Sequence, residues 1–270
     1  MNTVNAEPFQ PVTSIDDLTG NWTVKKDIPY FDHPEKDDYR RERCFLDIYY
    51  PGNRQNVPVL IYFHGGGLTG GDKSGIIEET RLLNCIIVSP NYRLAPRAKC
   101  PDYIEDAAMA AAWVLRHIRE YNGDPDNVFI YGQSAGAYLT AMLAADPKYL
   151  QHYGSSPADI RGYMPISGEM MTHFHIREEQ GIPATTPEID DFAPLAFVRK
   201  DFPPLMMITG ETGIEMDCRP AENKLMHDLL VYNENTTSSF YEMKALTHST
   251  IWTCINPWMR DFILKYLKTQ

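Results

Sequence analysis

The sequence has no apolar run approaching the roughly 18 residues that a bilayer-spanning helix needs. It also has no excess of positive charge. A formal net charge of −11 argues against a nucleic-acid-binding surface. Its five cysteines, Cys44, Cys85, Cys100, Cys218 and Cys254, are scattered, with no CxxC pair and no CxxC…HxxxH spacing. An odd, sparse set of this kind forms neither a disulfide framework nor a zinc site, and reads as the reduced thiols of a cytosolic chain. The opening stretch MNTVNAEPFQPV lacks a basic region followed by an apolar one, so it does not read as a secretory signal. A cytoplasmic location is therefore expected, with no membrane and no nucleic-acid partner. Internal repeats and low-complexity segments are also missing.

What is present is enough for one large core: 270 residues, 43% of them hydrophobic. Short apolar runs alternate with helical patterns. The runs Phe45–Tyr50, Val57–Phe63, Cys85–Ser89, Val128–Tyr131, Gly162–Ile166, Leu205–Thr209 and Ser239–Lys244 read as strands. Several are unbroken, the mark of strands covered on both faces. Pro101–Tyr121, Ala135–Ala145, Pro220–Tyr232 and Pro257–Leu267 read as helices. This alternation predicts an α/β fold with a doubly wound, mostly parallel sheet and right-handed crossovers. Residues 1–40, polar and proline-bearing, are expected to form an arm on the outside of a single domain over residues 41–270. Residues 168–198 carry no clean periodicity between two strands, and a connection this long is expected to be a lid.

Two motifs carry chemistry. Gly132-Gln133-Ser134-Ala135-Gly136 follows the run Val128–Tyr131 and opens a helix. Glycine at both ends allows a turn tight enough to push the serine hydroxyl above the sheet, and the helix N-terminus behind it favours developing negative charge. His64-Gly65-Gly66-Gly67 follows the strand ending at Phe63. Its bare backbone can offer N–H groups to a substrate oxygen as that oxygen becomes negative. A phosphate-binding loop of the GxxxxGK[ST] type is excluded, because no such string is present and Lys73 is not in register for one.

HGGG, Asn91-Tyr92-Arg93-Leu94-Ala95-Pro96 and GQSAG, in this order, resemble the α/β-hydrolase fold. Within it, the sequence is similar to the hormone-sensitive-lipase-like esterases and small bacterial acetyl esterases. The likeness covers roughly residues 42–268. It implies a serine esterase with nucleophile Ser134 and oxyanion N–H groups from Gly66, Gly67 and Ala135, with Gly65 as the alternative to Gly67. It also implies a structural role for Arg93 and a bracing role for His64.

A serine hydroxyl needs a base, and in these hydrolases the chain order is serine, acid, histidine. His248 follows the last strand and is the expected base. The acid falls in Thr209-Gly210-Glu211-Thr212-Gly213-Ile214-Glu215-Met216-Asp217-Cys218. Many relatives keep an aspartate three residues after the strand-ending glycine, but here that position is Gly213. Glu215, with its longer side chain, is the preferred acid. Asp217 is the alternative and is otherwise expected to cap the next helix, while Glu211 is read as too close to the strand end. Gln133, His173 and His175 are expected in the substrate pocket. The expected reaction is hydrolysis of small, acetyl-type esters, possible carbohydrate esters included, without metal or organic cofactor. An amidase using the same residues and a non-catalytic relative remain the alternatives. The oligomeric state is open, a homodimer being one form.

Overall fold

The computed structural model describes residues 22–31, 35–76 and 78–268. Eight strands form one sheet: β1 (Trp22–Pro29), β2 (Phe45–Pro51), β3 (Val57–Phe63), β4 (Ile86–Pro90), β5 (Gly123–Gln133), β6 (Gly162–Ile166), β7 (Leu205–Gly210) and β8 (Ser238–Met243). Their order across the sheet is β1-β2-β4-β3-β5-β6-β7-β8. The pairs β1–β2 and β2–β4 are antiparallel and the rest are parallel. The helices are α1 (Asp38–Arg43), α2 (Asp102–His117), α3 (Ala135–Ala145), α4 (Pro147–His152), α5 (Phe174–Glu179), α6 (Arg219–Tyr232) and α7 (Asn256–Tyr266).

The expected α/β-hydrolase architecture is the one observed. Every residue of β3 is buried, and alternate residues enter different cores. Val57, Val59, Ile61 and Phe63 join the core that contains residues of α2, α3 and α6. Leu60 and Tyr62 join a second core with Met259, Phe262 and Ile263 of α7. Helices therefore cover both faces, and the strand ends are left to carry loops.

The stretch expected to be an arm is more integrated than that. Trp22–Pro29 is the sheet's edge strand, paired with β2. Its central residues Lys25, Lys26 and Asp27 are exposed, so it carries no hydrophobic alternation to read. Residues 1–21 and 32–34, with His33, lie outside the described residues. Helix α1 is capped by Asp37, whose side chain accepts from the Tyr39 and Arg40 amides.

Arg93 ties this edge to the core. Its Nε donates to Asp106 Oδ2 at 2.7 Å, its Nη2 to Asp106 Oδ1 at 2.9 Å and its Nη1 to Asp37 Oδ2 at 2.6 Å. Both Arg93 and Asp106 are buried, at 4% and 0% exposure. Removing one partner of a buried pair leaves a desolvated charge. Asp106→Ala should therefore lower the free energy of unfolding by about 3 kcal/mol. A urea midpoint unchanged from wild type would contradict this account of Arg93.

Candidate active site

The tightest point of the fold is the turn from β5 into α3. Ser134 sits there with φ 54° and ψ −117°, outside the regions that side chains favour. Its amide donates to Ile166 O at 3.0 Å, so the turn is pinned to β6. A methyl on Gly136 would collide with Phe63 and stand 2.7 Å from His64 O. The flanking glycines thus let α3 press against β3 and lift the partly exposed serine out of the sheet.

That approach brings the glycine loop to the serine. A Cβ built on Gly65 would stand 3.4 Å from Ser134 Cβ. Gly66 and Gly67 take φ of +117° and +62°. Gly66 O accepts from the Thr69 and Gly70 amides at 3.1 and 3.0 Å, which curls the loop. Among the described residues, the amides of Gly66, Gly67 and Ala135 donate to no backbone carbonyl. Helix α3 adds its N-terminal dipole on the same side. The loop rests on the NYRLAP segment, where the Ala95 amide donates to Leu68 O at 2.9 Å.

His64 is fixed below this loop. Its Nδ1 lies 2.8 Å from Gly65 O, its ring stacks on Tyr92 at 4.3 Å between centroids, and Arg43 Nη2 stands 3.5 Å from its Nε2. Burial pushes its imidazole down to about 4. It is a neutral brace with both nitrogens engaged.

His248 follows β8, half-buried, and Glu215 follows β7, with no exposed side-chain surface. His248 Nδ1 and Glu215 Oε1 are 2.6 Å apart. This contact engages the Nδ1 side of the ring. The Gln133 amide group donates to His248 O at 3.1 Å, linking the histidine loop to the residue before the serine. Gln133 therefore steadies the histidine loop. Burial alone would raise the Glu215 carboxyl, but bonds from His248, Met216 N and Ser167 outweigh it and hold the carboxyl below its usual range.

The other acids of the loop do different work. Glu211 Oε2 accepts from the Ala245 amide at 2.8 Å, and its own amide donates to Leu246 O at 2.8 Å, so it shapes the turn leading to His248. Asp217 is exposed, and the expected cap is not formed. The N-cap position is Cys218, in a left-handed conformation with no side-chain cap bond. Gly213, at the position where relatives carry aspartate, has φ +93°, which disfavours any side chain.

His173 and His175 are not an open pair. His173 has no exposed surface, and its Nδ1 accepts from the His175 amide at 3.2 Å as the N-cap of α5. Burial pushes it down to about 3. His175 Nε2 lies 3.3 Å from Glu179 Oε1. No group of ligating side chains suited to a metal occurs among the described residues. The residue between them is the one that reaches the site. A Cβ on Gly67 would lie 3.3 Å from Phe174 Cζ, and the Phe174 amide is held by Glu169 Oε2 at 2.7 Å. Phe174 and Ser167 were not legible as site residues, because both depend on contacts far apart in the chain.

A serine on a strand-to-helix turn, a glycine loop beside it and a histidine–carboxylate pair at the strand ends define an α/β-hydrolase arrangement. A profile of the family described as alpha/beta hydrolase fold matches residues 60–199, more than half of the chain, and the chain belongs to that family. It is 37% identical over 119 residues to the probable carboxylic ester hydrolase LipM of Mycobacterium tuberculosis, covering 42% of this chain and 28% of that protein. It is 33% identical over 184 residues to esterase LipQ of the same organism, covering 60% and 42%. The chain thus spans less than half the length of these two relatives. A truncated carbohydrate esterase from gut microbiota superposes with a TM-score of 0.73 at 18% identity, covering 90% of this chain and 96% of that one, a likeness of fold.

Gly210 is the pivot of the acid. A Cβ there would stand 2.6 Å from Glu215 Oε2 and 2.5 Å from Leu246 O. Gly210→Ala should break the Glu215–His248 bond. In proton NMR, the downfield imidazole N–H signal of that bond should be present in wild type and Asp217→Asn and lost in Gly210→Ala. Its persistence, unshifted, in Gly210→Ala would refute this packing.

Proposed function

We propose that this chain is a serine carboxylic-ester hydrolase that acts in the cytoplasm on small, acetyl-type esters, carbohydrate esters among them. The observation that carries the reading is the 2.6 Å contact between His248 Nδ1 and the buried Glu215 carboxylate. It supports Glu215 as the acid in place of one at Gly213, and so weighs against a non-catalytic relative.

In this reading Ser134 Oγ attacks the ester carbonyl while His248 Nε2 takes its proton. The carbonyl oxygen becomes an oxyanion held by the Gly66, Gly67 and Ala135 amides. His248 returns the proton to the leaving alcohol. Water then repeats the sequence on the acyl-enzyme, releasing the acid and restoring Ser134. Glu215 keeps the imidazole in the required tautomer and balances its charge when protonated. No step calls for a metal or an organic cofactor. The five cysteines are free, in keeping with a reducing compartment. No described helix is long and apolar enough to cross a membrane.

The preference for small acyl groups rests on Phe174. Its ring lies against Gly67, a proposed oxyanion donor, so the space next to the carbonyl carbon is walled on that side. Residues 168–198, the proposed lid, supply this wall.

Hydrolysis of p-nitrophenyl acetate tests the catalytic assignment. Ser134→Ala should abolish turnover, Glu215→Gln should lower kcat by about 10³–10⁴-fold and Asp217→Asn should leave it within about twofold. Wild-type turnover no higher than that of Ser134→Ala would sink the hydrolase reading, and full activity in Glu215→Gln would move the acid elsewhere.

An acyl series tests the wall. Phe174→Ala should raise the butyrate-to-acetate ratio of kcat/KM by about tenfold, within the range that a few apolar contacts provide. An unchanged ratio would place the acyl group away from Phe174.

A further inference from the structure

Ser167 directly follows β6 and has no assigned role. It is fully buried, with φ +53°, a conformation glycine adopts freely and serine does not. Its amide donates to Ile208 O at 2.8 Å, continuing the pairing of β6 with β7. Its hydroxyl donates to Glu215 Oε2 at 3.0 Å. The other donors to that carboxylate are the Gly210 amide at 3.0 Å, the Met216 amide at 2.9 Å and His248. Ser167 is thus the one side-chain donor besides the histidine among the described residues. A side chain at a backbone position suited to glycine, spending its hydroxyl on a buried carboxylate, points to a task for that hydroxyl.

We propose that Ser167 is a positioning residue for the acid, a fourth member of the Ser134–His248–Glu215 set that compensates for the acid's displaced place in the loop. The proposal rests on the hydrolase reading. Glutamate has one more rotatable bond than aspartate, so its carboxylate needs more anchors to hold one orientation. The Gly210 amide and the Ser167 hydroxyl grip Oε2, which leaves Oε1 aimed at His248 Nδ1. Loss of the hydroxyl frees the carboxylate to rotate. It also removes a dipole that favours the ionised form, so the carboxylate–imidazole pair gains its proton at a higher pH. The charged groups on the elements beside this pair include Glu169 just after β6, Glu211 and Asp217 on the acid loop, Glu242 and Lys244 on and just after β8, and Arg219 and Glu222 on α6. None of them is altered by the test.

The experiment compares Ser167→Ala and Ser167→Gly, each alone and combined with Glu215→Gln, on p-nitrophenyl acetate across pH. Both single variants keep the amide that pairs with β7. Glycine relieves the backbone strain and alanine does not, so Ser167→Gly should melt at or above Ser167→Ala. Despite that difference, both should lose kcat by about tenfold with KM unchanged, as expected for a lost hydrogen bond to a charged group. The acid limb of kcat should move to higher pH in both. In the Glu215→Gln background neither substitution should lower kcat further, because the hydroxyl acts through the carboxylate. A rate loss that follows melting temperature, or that persists at full size in that background, overturns the proposal. The NMR titration of His248, assigned by its loss in His248→Asn, reads the same coupling without turnover. An upward shift in Ser167→Ala supports the proposal and an unmoved titration refutes it, even if the wild-type chain hydrolyses no ester.

Discussion

The lack of room for a single methyl group between β3 and the start of α3 governs this molecule. Gly136 lies so close to Phe63 and His64 that only hydrogen fits. The serine turn and the glycine loop are therefore held in contact by backbone packing rather than by side-chain bonds. Strain at Ser134 is tolerated because the buried strands on either side leave the chain no relaxed alternative. The placement of the serine beside the glycine loop is, in this sense, a by-product of how closely a helix and a strand can pack.

The acid obeys a different constraint. An ionised carboxylate taken out of water loses several kcal/mol of solvation. Glu215 has no exposed side-chain surface, so that loss is nearly complete. Hydrogen bonds to a charged group return about 1.5–3 kcal/mol each. The Gly210 and Met216 amides, Ser167 and His248 together supply enough to win, which agrees with a carboxyl held below its usual range. Which carboxylate of this loop is held buried and ionised is thus decided by which one finds donors. Asp217, two residues further on, is exposed and finds none comparable.

This explains which parts were legible in the sequence. Unbroken apolar runs such as Val57–Phe63, short and rich in β-branched and aromatic residues, announce buried parallel strands. The edge strand Trp22–Pro29 was missed because an edge needs no apolar alternation and is protected by charge instead. GQSAG and HGGG were readable because glycine spacing reports a local backbone demand. Ser167 was not, since its meaning lies in a contact with a residue 48 positions away. The reading of Asp217 as a cap assumed that α6 begins with a capped turn, but the chain enters that helix through Cys218 in a left-handed conformation.

The segment 168–198, expected as a lid, is bound at many points. The Thr172 amide donates to Glu188 O at 3.0 Å, Tyr138 of α3 donates to Phe192 O at 2.7 Å, and Arg177 Nη1 donates to Thr186 O at 2.8 Å. Glu169 Oε1 sits 3.2 Å from Arg177 and 3.1 Å from Arg219 of α6, all three buried. Burial pushes the Arg219 guanidinium down to about 10. Such a network gives little net stability, and its value lies in fixing one arrangement. Here it fixes the segment that carries Phe174 to the helix that begins just beyond Glu215. The wall over the glycine loop and the acid behind the histidine are therefore set by one buried charge cluster. A segment tied in this way is held in one arrangement beside the glycine loop, because moving it would break several buried bonds at once.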